Sequence, residues 1–249
     1  MKVSIITVCF NAQDTIEETI QSVVSQTYGD VEYLIVDGGS NDSTVEIAQK
    51  YLNEGVSKVF SEKDEGIYDG MNKGINLATG DLIGILNADD FYSDDKVISD
   101  VVKKITRDNA QSIYADLDYV DPVETNNVKR KWRSGNYKRS NFLRGWMPPH
   151  PTFFIRKSCY TKFGLFLTSM KSAADYELML RMLYKNKIST TYLPRTIIKM
   201  RVGGVSNNSI KNRINANKED RKAWEINGIK PKWYTLGLKP ISKIAQFLK

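Results

Sequence analysis

Four short apolar runs, each closed by a polar turn and separated by segments of helical periodicity, fill the first 90 residues and constrain the fold more than any other feature. Val3 to Cys9 is rich in β-branched residues and reads as a buried strand, with Asn11 to Asp14 as turn and cap. Asp14-x-x-Glu17 has the form of a capping box, and Ile16, Ile20, Val23 and Val24 fall on one helical face. Val31 to Val36 is the next strand. Asp37 to Asp42 is a turn, and Ser43-x-x-Glu46 caps a second helix carrying Val45, Ile47, Ala48, Tyr51 and Leu52. A short strand near Ser57 to Ser61, a helix near Ile67 to Ala78 and an apolar strand Leu82 to Leu86 complete the rhythm. Repeated β-α-β units predict an α/β domain with a mostly parallel central sheet flanked by helices.

Such sheets bind ligands beyond the carboxyl ends of their strands. The polar clusters sit at those ends: Cys9-Phe10-Asn11, Asp37-Gly38-Gly39-Ser40, Glu62 to Gly66, and Asn87-Ala88-Asp89-Asp90. Neither Gly-x-Gly-x-x-Gly nor a P-loop occurs, so the phosphates of a nucleotide need another counter-charge. A carboxylate ending a rigid strand suits Mg²⁺ or Mn²⁺, which bind one or two carboxylates together with substrate phosphates. The same Asp89-Asp90 pair also reads as a loop running into a helix cap at Ser93-Asp94. Further along, Ser112 to Val120, Val128 to Trp132 and Pro151 to Arg156 read as strands. His150, the only histidine, lies in the rigid Pro148-Pro149-His150-Pro151 turn. Ala173 to Leu183 begins a helix with Leu178, Met179, Met182 and Leu183 as its buried stripe. Asp175 then sits in the first turn, where it serves either the helix dipole or, beside a cleft, an incoming hydroxyl as general base.

Charge divides the 249 residues unevenly: residues 1 to 124 hold 9 basic and 24 acidic side chains, and residues 125 to 249 hold 27 and 5. The acidic half suggests a bound cation and the basic half an anionic target, whether nucleic acid, membrane surface or phosphorylated substrate. No apolar run approaches the roughly 20 residues a bilayer span needs. The opening residues lead into Asn11-Ala12-Gln13 without a cleavage site, and Cys9 and Cys159 lack ligand-like spacing. A cytoplasmic protein without disulfides is expected.

Taken in order, Val3 to Asn11, Val36 to Thr44, Gly66-Ile67-Tyr68-Asp69-Gly70-Met71-Asn72-Lys73-Gly74, Ala78-Thr79-Gly80-Asp81 and Asn87 to Asp90 resemble the inverting family 2 glycosyltransferases of the GT-A fold. The later Ala173 to Arg181 and Arg201-Val202-Gly203-Gly204-Val205-Ser206 resemble the branch that builds bacterial O-antigen and capsule repeats. The resemblance covers residues 2 to 206. It implies a glycosyltransferase domain over 1–206, with a nucleotide-sugar-binding half at 1–120 and an acceptor-binding half at 121–206. A basic helical C-terminal extension is expected at 207–249.

The resemblance also implies site residues. Thr7, Phe10, Asn11 and Asp37 would cradle the uridine of a UDP-sugar, Asn72, Lys73, Asn87 and Ala88 would complete the donor site, and Asp89 would ligate Mn²⁺ or Mg²⁺. His150 and Arg201 would lie near the acceptor or diphosphate, and Asp175 would be the catalytic base. Three departures from the family pattern stand out: Asn87 replaces the first carboxylate of Asp-x-Asp, Ala174 a Glu, and Gly203 a His. The implied reaction moves a hexose (glucose, galactose or N-acetylhexosamine) to a hydroxyl of a lipid-pyrophosphate-linked sugar at the inner face of the cytoplasmic membrane. Trp233, Tyr234, Ile241, Ile244, Phe247 and Leu248, with Lys239, Lys243 and Lys249, would form an interfacial tail on anionic lipid. A homodimer is a further expected partner. A nucleotidyltransferase and a basic nucleic-acid-binding protein are the competing classes, the first lacking a basic Gly-rich loop and the second any known binding motif.

Overall fold

The computed structural model describes residues 1–203 and 210–244. The expected boundary at 206, with Val205, Ser206, Phe247, Leu248 and Lys249, lies outside the described residues.

The first half follows the apolar pattern closely. Strands β1 (Val3–Cys9), β2 (Val31–Asp37), β3 (Lys58–Ser61) and β4 (Leu82–Asn87) alternate with helices α1 (Ile16–Val24), α2 (Thr44–Lys50) and α3 (Ile67–Leu77). β1 is buried along its whole length, because parallel neighbours pair with it on both sides: Val3 opposes Val31 and Leu82, and Thr7 opposes Ile35 and Leu86. Parallel strands need crossover connections, and the crossovers put helices on the faces, so a strand at the centre is apolar on both sides. The expected capping boxes do not form. α1 begins at Ile16 with neither Asp14 nor Thr15 bonding its first turn, and for α2 it is the carboxylate of Asp42, not the Ser43 hydroxyl, that takes the Thr44 N–H, at 2.9 Å.

Beyond residue 88 the sheet departs from the parallel expectation. β5 (Asp90–Tyr92), α4 (Val97–Arg107), β6 (Ser112–Val120), β7 (Val128–Trp132), β8 (Phe154–Arg156) and β9 (Thr190–Arg201) extend it to the order β3-β2-β1-β4-β8-β6-β9-β5, with β7 on β6. β8 runs antiparallel to β4 and β6, β7 to β6 and β5 to β9, so the sheet is mixed. Loop length explains part of the change: residues 121–127 join β6 to β7, too short for a crossover and sufficient for a hairpin. Where β9 pairs with β6 the register slips past Pro194, which has no N–H to give the ladder. The strand expected from Pro151 shortens to Phe154–Arg156, because His150–Thr152 forms a single helical turn. The Asp90 to Tyr92 segment is strand rather than loop, and the expected cap at Ser93-Asp94 does not form on α4: Asp94 takes the Lys96 N–H at 3.0 Å in the turn before the helix.

The remaining helices are α5 (Lys157–Phe163), α6 (Ala174–Met179), which continues in wider turns over Leu180–Lys185, α7 (Ile210–Ile226) and α8 (Thr235–Ile244). α7 packs on α6, with Ala223 and Trp224 fully buried, and α8 packs on the turn Arg139–Arg144. Cys9 and Cys159 are buried free thiols. Among the described residues no helix is long and apolar enough to cross a membrane.

Gly84 lets the two halves of the sheet meet: a Cβ there would lie 2.4 Å from the ring of Phe154, itself 1% exposed. Gly84→Ala is expected to destabilise the protein by about 1–3 kcal/mol through overpacking. Urea denaturation checks it, the midpoint falling with the slope unchanged.

Candidate active site

The strand ends of β1 and β2 are laced into one rim. Asn11 takes a left-handed conformation (φ 47°), which turns the chain so that its N–H reaches the Ser40 hydroxyl at 2.7 Å and its side-chain oxygen accepts the Asn41 N–H at 3.0 Å. Asp37, 1% exposed, accepts the N–H groups of Gly39 and Ser40 at 3.0 Å each, the Ser61 hydroxyl at 2.7 Å and the Ser40 hydroxyl. Its carboxylate therefore shapes the loop, with Oδ2 taking three of the four donors. Glycine at 38 lets Asp64 approach, since a Cβ would stand 2.6 Å from Asp64 Oδ2. Asp64 thus joins the rim although the sequence did not single it out. Phe10 stands beside them, 62% exposed.

Three expected donor residues have other duties. Thr7 is fully buried and its hydroxyl bonds that of Tyr33 at 2.9 Å, so its side chain belongs to the core. Asn72 clamps the backbone of Phe166 with both amide atoms, each at 2.9 Å, and braces a loop. Lys73 is held by Glu62 at 2.7 Å and Asp69 at 3.2 Å. These residues lie at helical or strand positions that alternate between cleft and interior, and sequence spacing does not say which side each faces.

At the end of β4, Ala88 is buried, and Asn87 and Asp89 are half-buried. The side-chain oxygen of Asn87 is buried without a hydrogen-bond partner, as is Oδ1 of the fully buried Asp90. Burial pushes the Asp89 carboxyl up, against the nearby Arg201 guanidinium, and burial with the Asp89 charge pushes Asp90 well up. Arg201, at the end of β9, donates to the backbone oxygen of Asp89 at 2.6 Å, pairs with Glu18 and lies 5.0 Å from the Phe91 ring. It fixes the Asp89 turn from behind. Among the described residues no three His, Cys, Asp or Glu side chains gather as a metal cage. Even so, an unpartnered amide oxygen beside a half-exposed carboxylate fits a divalent ion that takes its other ligands from a diphosphate.

Asp175 lies in the first turn of α6, and Oδ2 pairs with His150 Nδ1 at 3.0 Å, while Oδ1 accepts the Tyr68 hydroxyl at 3.4 Å. Tyr68 belongs to the first turn of α3, which places the pair at the edge of the strand-end cleft. The Asp175 side chain is 19% exposed and that of His150 34%. Burial pushes the Asp175 carboxyl up, but the charge and hydrogen bond of His150, helped by the Lys239 ammonium, outweigh it and hold the group at about 2. The proline-flanked turn that fixes His150 was legible; its partner was not, since 25 residues separate the two.

The fold is that of the α/β nucleotide-sugar transferases. The description "Glycosyl transferase family 2" matches residues 4–164, so the chain belongs to that family and is a glycosyltransferase. An uncharacterised glycosyltransferase of Mycobacterium tuberculosis is 33% identical over 184 residues, 72% of this chain and 68% of that protein. A PGL/p-HBAD biosynthesis glycosyltransferase of Mycobacterium bovis is 28% identical over 207 residues, 82% and 78% of the two chains. Among solved structures, S. aureus TarS residues 1–349 in complex with UDP-GlcNAc aligns at a TM-score of 0.73 and 18% identity, covering all of this chain and 72% of that one. A Pyrobaculum calidifontis mannosyltransferase in complex with GDP-Man and Mn²⁺ aligns at 0.66 and 15% identity, covering 97% and 69%. Of the three activities left open by the sequence, sugar transfer is the one the family match selects.

The Asp175 carboxyl has a second, measurable consequence. A depressed carboxyl contributes stability at neutral pH that is lost as pH falls from its ordinary value, near 4, through about 2. Asp175→Asn is therefore expected to be less stable than wild type above pH 4, with the gap narrowing between pH 4 and pH 2. Denaturation midpoints across that range check it.

Proposed function

We propose that this glycosyltransferase is a metal-dependent inverting hexosyltransferase. It moves a hexose from a UDP-sugar to a hydroxyl of a lipid-pyrophosphate-linked acceptor in bacterial surface polysaccharide assembly, working at the inner face of the cytoplasmic membrane. The observation that carries the reading is the Asp175 carboxylate, ionised at the cleft edge and oriented by His150 and Tyr68. Residues 1–120 hold the donor and residues 121–206 face the acceptor. A relative named cholesterol galactosyltransferase, from Borreliella burgdorferi, is 38% identical over 90 residues, 36% of this chain and 25% of that one. Its name supports a hexose as the transferred sugar, and the UDP-GlcNAc bound to TarS supports a UDP-sugar donor.

In this reading the rim of Phe10, Asn11, Asp37 and Asp64 receives the uridine. Asn87 and Asp89 would hold Mg²⁺ or Mn²⁺, which when bound would supply positive charge against that gained by the leaving diphosphate. Arg201 keeps the Asp89 turn in place and adds positive charge behind it. Asp175 accepts the proton of the acceptor hydroxyl as that oxygen attacks the anomeric carbon on the face opposite the diphosphate, giving one inversion. His150 orients the carboxylate through its Nδ1 contact with Oδ2. The transition state is oxocarbenium-like, and the buried rings of Tyr68 and Phe166, stacked at 5.7 Å, back the hydroxyl that Tyr68 donates to Asp175. Trp233, 94% exposed between the exposed Lys232 and the partly covered Tyr234, is the element of the proposed tail that faces outward as a lipid anchor would.

Two substitutions test the reading. Asp175→Asn keeps the shape and cannot take a proton, so kcat is expected to fall at least about 100-fold with UDP affinity unchanged; turnover within threefold of wild type would return Asp175 to a helix-start role. Asp89→Ala is expected to abolish the Mn²⁺-dependent part of UDP binding, read by calorimetry with and without the ion. Equal UDP affinity of the wild type in both conditions would remove the metal from the scheme.

A further inference from the structure

The C-terminal helices converge on the turn that carries Asp175. On its N-terminal side, Glu219 of α7 accepts the N–H groups of Lys171 and Ser172 at 3.0 and 2.8 Å, and the Ser172 hydroxyl at 2.9 Å. On its C-terminal side, Trp224 donates to the Tyr176 hydroxyl at 3.0 Å, and Asn227 donates to the fully buried Glu177 at 3.0 Å. α8 adds the third hold. Lys239 pairs with both oxygens of Asp220 at 2.7 Å and sits 3.7 Å over the ring of Tyr176, the residue next to Asp175. The same helix reaches the loop leading to His150: Thr235 donates to the Leu143 oxygen at 2.7 Å, and Gly145 (φ 77°) lies so close that a Cβ would be 2.4 Å from the Lys239 nitrogen.

We propose that α7 and α8 form a clamp that positions the His150–Asp175 pair, with Glu219 and Lys239 as its positioning residues. The proposal rests on the reading of Asp175 as the base and assigns the C-terminal segment a part in turnover. Neither residue touches the pair. Glu219 fixes the chain three residues before Asp175, and Lys239 fixes the ring one residue after it, so the carboxylate is held from both sides of one turn. A half-buried ammonium, 13% exposed, paired and seated on an aromatic face, is more than a solubility charge. Around Asp175, the groups that face it are His150, Tyr68 from α3 and Lys239 from α8, with Asp220 of α7 behind Lys239.

The test uses the full chain with Lys239→Met, Lys239→Arg and Glu219→Ala. Because His150 is the only histidine, its imidazole gives a single NMR cross-peak that reports the pair without any assay of activity. Lys239→Met and Glu219→Ala are expected to move that peak and to lower kcat about 10- to 100-fold, with UDP affinity and donor KM kept, the scale of a small misplacement of a reacting group. Lys239→Arg is expected to restore most of kcat. An unmoved His150 peak with wild-type kcat in both variants overturns the clamp, as does parallel loss of UDP affinity and kcat, which marks general unfolding. If Asp175→Asn is active, the base assignment falls, and the His150 peak still decides whether the clamp exists.

Discussion

Parallel pairing on both sides of β1 is the constraint from which the rest of the molecule follows. Once Val3–Cys9 is hydrogen-bonded to β2 and β4 in the same direction, each connection must cross over a face, and every strand ends at the same edge. Cys9, Asp37, Ser61 and Asn87 are thereby brought to one rim although they are spread over nearly 80 residues. A rim made of strand ends has a cost: each end leaves backbone N–H groups without partners. The Asp37 carboxylate answers it for β2 by accepting two backbone N–H groups and two hydroxyls. That makes this edge rigid before any ligand arrives, and preorganisation of this kind lowers the ordering cost of binding.

The second half is built on the opposite arrangement. β8, β7 and β5 are short and antiparallel, and the groups that matter are set by contacts between distant segments rather than by strand ends. Arg201 illustrates it. Its guanidinium touches Glu18 in α1, Pro122 after β6 and the Asp89 backbone, so one side chain ties three parts of the chain to the turn proposed to hold the ion. Removing it would leave the partly buried Asp89 carbonyl without that donor and take away the positive charge that opposes burial at Asp89 and Asp90.

These two modes of construction explain what the sequence made legible. β1 to β4 and the helices between them follow from local apolar period, and the order of the rim clusters follows from topology alone. The facing of single residues does not. Thr7 lies in a strand buried on both faces, so alternation carries no sign of which side meets the cleft, and it proved to bond Tyr33. Asn72 and Lys73 sit near a glycine-rich helix start that looks like a ligand loop, yet Asn72 braces Phe166 and Lys73 answers Glu62 and Asp69. β5 was hidden because three residues are too few for a period, and its pairing partner β9 lies more than 100 residues away. The link from Lys239 to Tyr176 has no local signal of any kind, since it depends on how α7 and α8 fold back onto α6.

The charge division along the chain shows the same effect at larger scale. Read as sequence, an acidic half and a basic half suggest two charged faces with separate partners. In the fold many of the opposite charges meet: Arg195 of β9 pairs with Asp94 and Asp100, Arg201 with Glu18, and Arg133 with Asp118 at 2.8 Å. Each of these takes a basic side chain from the second half and an acidic one from the first. The partly exposed pairs of Arg195 and Arg133 contribute about 0–1 kcal/mol each, so their main effect is to fix the register of the second half on the first rather than to add stability. The excess that matters to function is therefore smaller than the sequence division implies. Lys239, half-buried beside the turn that carries Asp175, is paired with Asp220 and so does not add to that excess. Steering of an anionic acceptor would depend on the excess and positioning of Asp175 on Lys239, and the two respond differently to salt, because a Debye length of about 8 Å screens exposed charges and a partly buried pair much less.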